Sequence, residues 1–403
     1  MSFRRLTIAL LVTSILLLSA TCPLTLASPE KPTLVVIGPW AGPERDRFLP
    51  VLKAAEVKLG INIEYRIMRS EEAGEVLPAY FRAGKTPGDV ILIAWPWWIK
   101  KNYKHLVDLT DIAEPEKYKK GLIDLVTVDG KVYGLPYTGK IKPGFWYRIS
   151  FFKKHGLKVP TTWDEFVALL KEIKTKIGIT PIASGDGVGW PLSDVTEHFI
   201  LRFAGLDVFK KLVTGEVRFT DPVIRSVFRD RLVPLLKAGY FSAPEEWTTI
   251  LKRWWKGDHA LYFMGSWITE MVPDPEDLGL LPLPGTKVVV IGVDFAFVPK
   301  YSKHVKEAKE LAKFLCGVQG QSIQVIMGGH IATRVDVPLA IYPPVDRKVA
   351  EVLVKAEAVA FDLDDTIGGK FQSTFWDQLK YLWVHPEEWE SVLRNIEAAQ
   401  PKP

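Results

Sequence analysis

Asp362-Leu363-Asp364-Asp365-Thr366, preceded by the apolar run Ala358-Val359-Ala360-Phe361, spells a DxDxT pattern. In that pattern the first Asp would attack a phosphoryl group and the second would act as acid and base beside a magnesium ion. The chemistry needs a further domain carrying Lys and more Asp, yet only 37 residues follow Thr366, against the ~100 of a usual small domain. These carboxylates are therefore expected to cap a helix or form a solvated turn near a cleft. Gly185-Asp186-Gly187-Val188-Gly189 lacks the Lys-Ser/Thr of a phosphate loop and does not match GxGxxG, so it reads as a substrate loop. The seven His are scattered without an HExxH, and two Cys cannot make a structural zinc site. Ser266 lacks the GxSxG elbow and a base partner. No catalytic residue, metal site or cofactor is assigned.

The unusual feature is aromatic: 14 Trp beside 20 Phe and 12 Tyr. Indole rings offer flat surfaces that cover the apolar faces of sugars as readily as they fill cores. Trp40, Trp190 and Trp267 flank Gly or Pro on expected loops, and Trp95 and Trp97 follow an expected strand end. Trp163, Trp247, Trp254, Trp383 and Trp389 sit in helical patterns and are read as core, while Phe371 and Trp376 are further cleft candidates.

The elements that position these residues alternate. Residues 33–38 and 89–94 read as buried strands, 62–68 as a second strand following Gly60, and 44–59, 76–84 and 98–106 as helices, the signature of an α/β lobe. Residues 132–146, rich in Gly, Pro and Tyr, are expected to run between lobes. Thr162 and Glu165 form a capping box for a helix reaching about Lys176. The middle third reads as mainly helical, with starts at Asp221-Pro222 and Pro244-Glu245-Glu246. Residues 288–298 form a long β-rich run that returns to the first sheet. The expected N-terminal lobe is thus 33–138 with 286–330, and the C-terminal lobe 139–285 with 331–403. Length supports two lobes, since 403 residues exceed what one core usually organises.

At the N-terminus, Arg4 and Arg5 precede an uncharged aliphatic stretch, read as an export signal over residues 1–27. A permanent membrane anchor is the alternative. Cleavage falls either before Cys22, in Leu18-Ser19-Ala20-Thr21-Cys22, which would permit lipid anchoring at the membrane surface, or after Thr25-Leu26-Ala27. Without Arg4 and Arg5 the net charge of +5 falls to about +3, too weak and dispersed for nucleic acid. With at most Cys22 and Cys316 retained, no disulfide framework supports the fold.

The chain resembles the extracellular solute-binding proteins of ATP-driven sugar importers, the group that includes maltose- and glucose-binding proteins. The resemblance rests on Trp40-Ala41-Gly42 with Glu44, Pro87-Gly88-Asp89-Val90, and Asp129 through Tyr137. It continues through Pro160 to Glu165, Gly189 to Asp194 with Glu197, Gly265-Ser266-Trp267 and Gly328-Gly329-His330. It implies a two-lobe periplasmic-binding-protein-like α/β fold, type II, with ligand in the cleft, closure about the hinge, and delivery by a monomer to ABC-transporter permease subunits. It implies no enzymatic activity. Trp40 and Trp267 would stack on a saccharide from the two lobes, Trp190 would line the floor, and Glu44, Asp186 and Asp294 would accept hydroxyl hydrogen bonds. Lys140, where relatives often place Asp or Asn, and Lys142 keep open a charged solute such as a polyamine or phosphodiester. An exported glycoside-active enzyme is the alternative from another class.

Overall fold

The structure, a computed structural model, describes residues 31–402. The export signal, both cleavage motifs and Cys22 lie outside the described residues. Among the described residues no helix is long and apolar enough to cross a membrane.

The three expected strands form as Thr33–Gly38, Asn62–Ile67 and Val90–Ile93, with the first in the middle of a parallel trio. Their helices, Gly42–Leu59, Ser70–Arg82 and Pro96–Asn102, begin earlier than expected. Physical reasons are local: Glu71 and Glu72 favour a helix N-terminus, and Pro96 pre-sets the first helical φ. Val288–Phe297 is buried along its whole length and pairs antiparallel with Leu135–Lys142 on one edge. Its other edge is shared: Phe295–Phe297 pair antiparallel with Val90–Ile93, and Val288–Ile291 pair in parallel with Ala358–Phe361. Ile331–Ala332 completes a seven-stranded sheet. Two strands from within 331–403 therefore join this sheet, which extends past the boundary expected at residue 330.

After Lys142 the chain steps through Pro143-Gly144 into Phe145–Arg148, a strand of a second sheet ordered Leu278–Leu281, Phe145–Arg148, Leu261–Phe263, Ile182–Ala183. Gly144 has φ 129°, and a Cβ there would meet the Leu281 carbonyl at 2.7 Å, so the step requires glycine. The capping box forms as expected: Thr162 Oγ1 accepts from the Glu165 amide at 3.2 Å and Glu165 Oε2 from the Thr162 amide at 3.2 Å. That helix, Trp163–Glu172, continues as a π-turn to Ile177. The helix expected near Pro244 starts instead at Trp247, after the short strand Glu245–Glu246. The outcome is a two-lobed α/β fold, one lobe around each sheet, with a cleft between them.

Candidate functional site

Strand ends converge on the cleft. Pro39, Trp40 and Glu44 follow Thr33–Gly38, Arg69 and Glu71 follow Asn62–Ile67, and Ala94 and Trp95 follow Val90–Ile93. Ala358–Phe361 runs the opposite way to Val90–Ile93 along the same edge of the long strand. With Ile93 opposite Phe295 and Phe361 opposite Ile291, the two C-terminal ends face each other across the stretch around Gly292. Lys140 sits opposite Gly292 on the far edge. Ligands of open α/β sheets gather beyond the carboxyl ends of strands, and here those ends surround a cavity of about 130 Å³. The second lobe closes it with Trp190, Trp247 and Trp267, joined by Trp376.

Several of the indoles rest on glycine. A Cβ at Gly74 would come within 2.6 Å of the Trp95 ring, one at Gly189 within 2.7 Å of Trp376, and one at Gly265 would overlap Trp267. Trp190 contacts Trp247 and Trp267 at centroid distances of 5.6 and 5.5 Å. A ring held between a backbone and its neighbours is fixed in orientation before any ligand arrives.

The charges are arranged in two ion-pair groups. Lys140 Nζ lies 3.0 Å from the fully buried Asp294, which also accepts from Thr138 Oγ1 at 3.2 Å. Lys142 Nζ lies 2.6 Å from both Asp194 and Asp362. Behind it, Asp364 accepts from Ser193 Oγ at 2.8 Å and from Trp376 Nε1, and Glu197 accepts from the Leu363 amide at 3.1 Å. Burial disfavours charge on Lys142, but Asp194 and Asp362 outweigh it and hold its pKa well above the ordinary value. Burial and mutual repulsion push Glu197, Asp364 and Asp365 upward. Burial likewise raises Glu44 to about 7, against the pull of Lys140. Asp365 has one oxygen held by Gln372 Nε2 at 2.8 Å while the residue lines the cavity. A pinned carboxylate beside indole faces can accept hydroxyl groups and orient a ring.

The sequence profile of bacterial extracellular solute-binding proteins matches residues 43–322. The chain belongs to that family. This solute-binding protein is similar to an ABC transporter extracellular-binding protein of Pyrococcus horikoshii, 55% identical over 375 residues, covering 92% of this chain and 89% of the relative. It is also similar to the alpha-glucosides-binding periplasmic protein of Rhizobium meliloti, 24% identical over 85% of this chain and 82% of the relative. Among solved structures it is similar to a bacterial solute receptor described as preferring β-D-galactopyranose, with TM-score 0.84, 18% identity, and coverage of 91% and 98%. At that identity the likeness bears on the fold.

Six of the ten residues expected at the site line the cavity of this solute-binding protein: Trp40, Glu44, Trp95, Trp190, Trp267 and Trp376. Trp40 is 1% exposed and packs on Phe48, Tyr137 and His330, so it backs the cavity more than it offers a free face. Four expected residues lie outside the lining. Asp294 acts one layer back, holding Lys140. Trp97 stacks on Trp95 at 5.7 Å. Asp186 is buried in the short strand Gly185–Asp186, where burial raises its pKa. Phe371 is a core residue, stacked on Phe375 at 5.4 Å, because Phe371 and Phe375 share one helix face.

Sequence reasoning missed Arg69, Glu71 and Trp247, and expected the Asp362–Asp365 carboxylates to cap a helix or form a solvated turn near the cleft; Asp362 does stand at the N-cap of the short helix Leu363–Ile367 beside the cavity. Asp362 is 2% exposed and ion-paired, so the turn is not solvated. Trp247 opens the helix Trp247–Lys256 and shares its buried face with Ile250, Leu251 and Trp254, so it is a core residue as its spacing indicated, and its ring also reaches the cavity wall. Both lysines that suggested an acidic ligand are already neutralised by Asp294, Asp194 and Asp362. A Gly265→Ala variant is expected to lose about 1–3 kcal/mol, the cost of overpacking a rigid site. Guanidinium unfolding with near-UV circular dichroism checks this; an unchanged indole signal and midpoint would show that Trp267 does not rest on Gly265.

Proposed function

We propose that this solute-binding protein captures a carbohydrate outside the cell and presents it to the permease of an ABC importer, returning the sugar chemically unchanged. The observation that carries the reading is the cavity: indole faces alternate with carboxylates at converging strand ends, the pairing that apolar ring faces and vicinal hydroxyls require. The sugar-binding names of several relatives support it. Closure about the crossing at Pro143-Gly144 brings the second-lobe indoles onto the ring, and binding shifts the open–closed balance by its differential affinity for the closed state.

A thermal-shift screen against mono-, di- and oligosaccharides tests the proposal. A ligand that binds only the folded state at a hundredfold excess over its Kd adds about 2.7 kcal/mol. A clear shift with one saccharide class, and recovery of that saccharide intact, is the expected result. Absence of any shift after co-purified ligand has been stripped would move the function to another solute, and release of a smaller sugar would mean glycoside chemistry.

A further inference from the structure

Resting on the carbohydrate reading, we propose that the cavity encloses a single sugar ring, either a monosaccharide or the terminal ring of a glycoside, with any further ring lying outside it. The first argument is volume. Pockets that swallow drug-sized ligands run from about 300 to 1,000 Å³, and an apolar cavity of ~150 Å³ takes one benzene ring. At about 130 Å³ this cavity has room for one six-membered ring whose hydroxyls reach into the polar walls.

The second argument is that the walls are already joined. Helix Gly42–Leu59 carries Glu44 on the cavity and Arg47 one turn further on, and the turn Ser266–Glu270 carries Trp267 and Glu270. Arg47 Nε lies 3.5 Å from Glu270 Oε2, and Arg47 also donates to the Met327 carbonyl. The volume is therefore that of a cleft whose two sides are in contact. A longer ligand would have to break this ion pair or leave through the mouth.

The third argument is the asymmetry of floor and mouth. The floor is fixed by the buried pairing of Lys142 with Asp194 and Asp362 and cannot recede without exposing uncompensated charge. The mouth holds Ala41 and Arg69, both exposed, and the half-buried Glu71. A substituent on the bound ring leaves in that direction, past flexible polar side chains that impose little on it.

The test is a titration of the ligand-stripped protein, by calorimetry, with a matched series: a set of hexoses and pentoses, their methyl glycosides, and the corresponding di- and trisaccharides. The expected result is that one monosaccharide or its methyl glycoside reaches the full affinity, with each added ring changing Kd by less than about tenfold. Preference for the free sugar over its methyl glycoside identifies a monosaccharide cargo; the reverse identifies a terminal ring. Binding seen only from the disaccharide upward, or Kd improving by about a hundredfold per added ring, would overturn the single-ring inference while leaving the carbohydrate reading intact. Failure of every saccharide, short and long, would overturn both.

Discussion

Replacing Lys142 with Met is expected to cost about 3–5 kcal/mol of folding stability at pH 8, the penalty for leaving buried carboxylates without their cation. The side chain is 6% exposed and its Nζ lies 2.6 Å from two carboxylates that are themselves 1% exposed. Methionine keeps the stem and removes the charge, so packing is largely conserved and the electrostatic loss dominates. The loss should shrink as pH falls, for a reason whose sign is fixed. Burial already raises the Asp194 pKa well above its unfolded value, with Lys142 acting against it. Without Lys142 the folded-state pKa rises further, so the folded form binds the extra proton. Stability from that proton is present below the unfolded value near 4 and is lost as pH climbs through the folded one. The neighbouring His198, held neutral chiefly by burial with a pKa of about 4, weakens the parent below pH 6.5; Lys142 adds to that depression, so its removal eases the His198 penalty and shrinks the deficit at low pH in the same direction. Urea unfolding of both proteins at pH 5 and pH 8 decides the matter. A deficit under 1 kcal/mol at pH 8, or one of equal size at both values, would mean that the pairing with Asp194 and Asp362 is not what holds this region.

The cluster around Lys142 also shows where sequence reading stops. The alternation of apolar runs with helical spacing marked the strands Thr33–Gly38, Asn62–Ile67 and Val90–Ile93; the signal is strongest for Val90–Ile93, buried throughout, whereas Asn62–Ile67 is an edge strand with no fully buried residue and was legible from its place after Gly60. Ile331–Ala332, two residues long, carries none, and its place in the sheet depends on pairing with Gly139 and Thr138 nearly two hundred residues away. The same holds for charge. Asp362-Leu363-Asp364-Asp365-Thr366 reads as a helix cap or a solvated acidic turn, and its buried ion pairing emerges only when Lys142, 220 residues earlier, is brought beside it. Tryptophans divided more cleanly. Trp40, Trp190 and Trp267, read beside Gly or Pro, line the cavity, as does Trp95 at its strand end; Trp190 opens the helix Trp190–Phe203 rather than lying on a loop, and Gly265 gives Trp267 a flat seat. Trp163, Trp254, Trp383 and Trp389, read from helical spacing, pack into the two large cores. Trp247, read the same way, is buried in the first of those cores and lines the cavity as well.

That division sets up the second large effect. Truncating Trp267 to Ala is expected to weaken carbohydrate binding by about 30- to 150-fold, some 2–3 kcal/mol, as is typical when a central aromatic anchor is lost. Trp267 is held on three sides: by Gly265 beneath, by the Trp190 ring at 5.5 Å, and by Lys140 Nζ 5.9 Å from its centroid. Removing it takes away a wall that is already oriented, so the ligand loses both contact area and pre-organisation. The truncation also disturbs packing, since the ring is 5% exposed and belongs to one of the two large core clusters. Trp254 supplies the control. It is 1% exposed in the same cluster, bonded through Nε1 to the Ala260 carbonyl at 3.3 Å, and absent from the cavity lining. Trp254→Ala should therefore lower the melting temperature at least as much as Trp267→Ala while leaving Kd within about threefold of the parent. Trp267→Phe, which restores a flat face, should recover most of the affinity. Calorimetric titration of the three variants at one temperature separates the roles. If Trp254→Ala and Trp267→Ala weaken binding equally, the affinity follows global stability and Trp267 is a structural residue; if only Trp267→Ala does so, and Phe rescues it, the ring is the surface on which the sugar stacks.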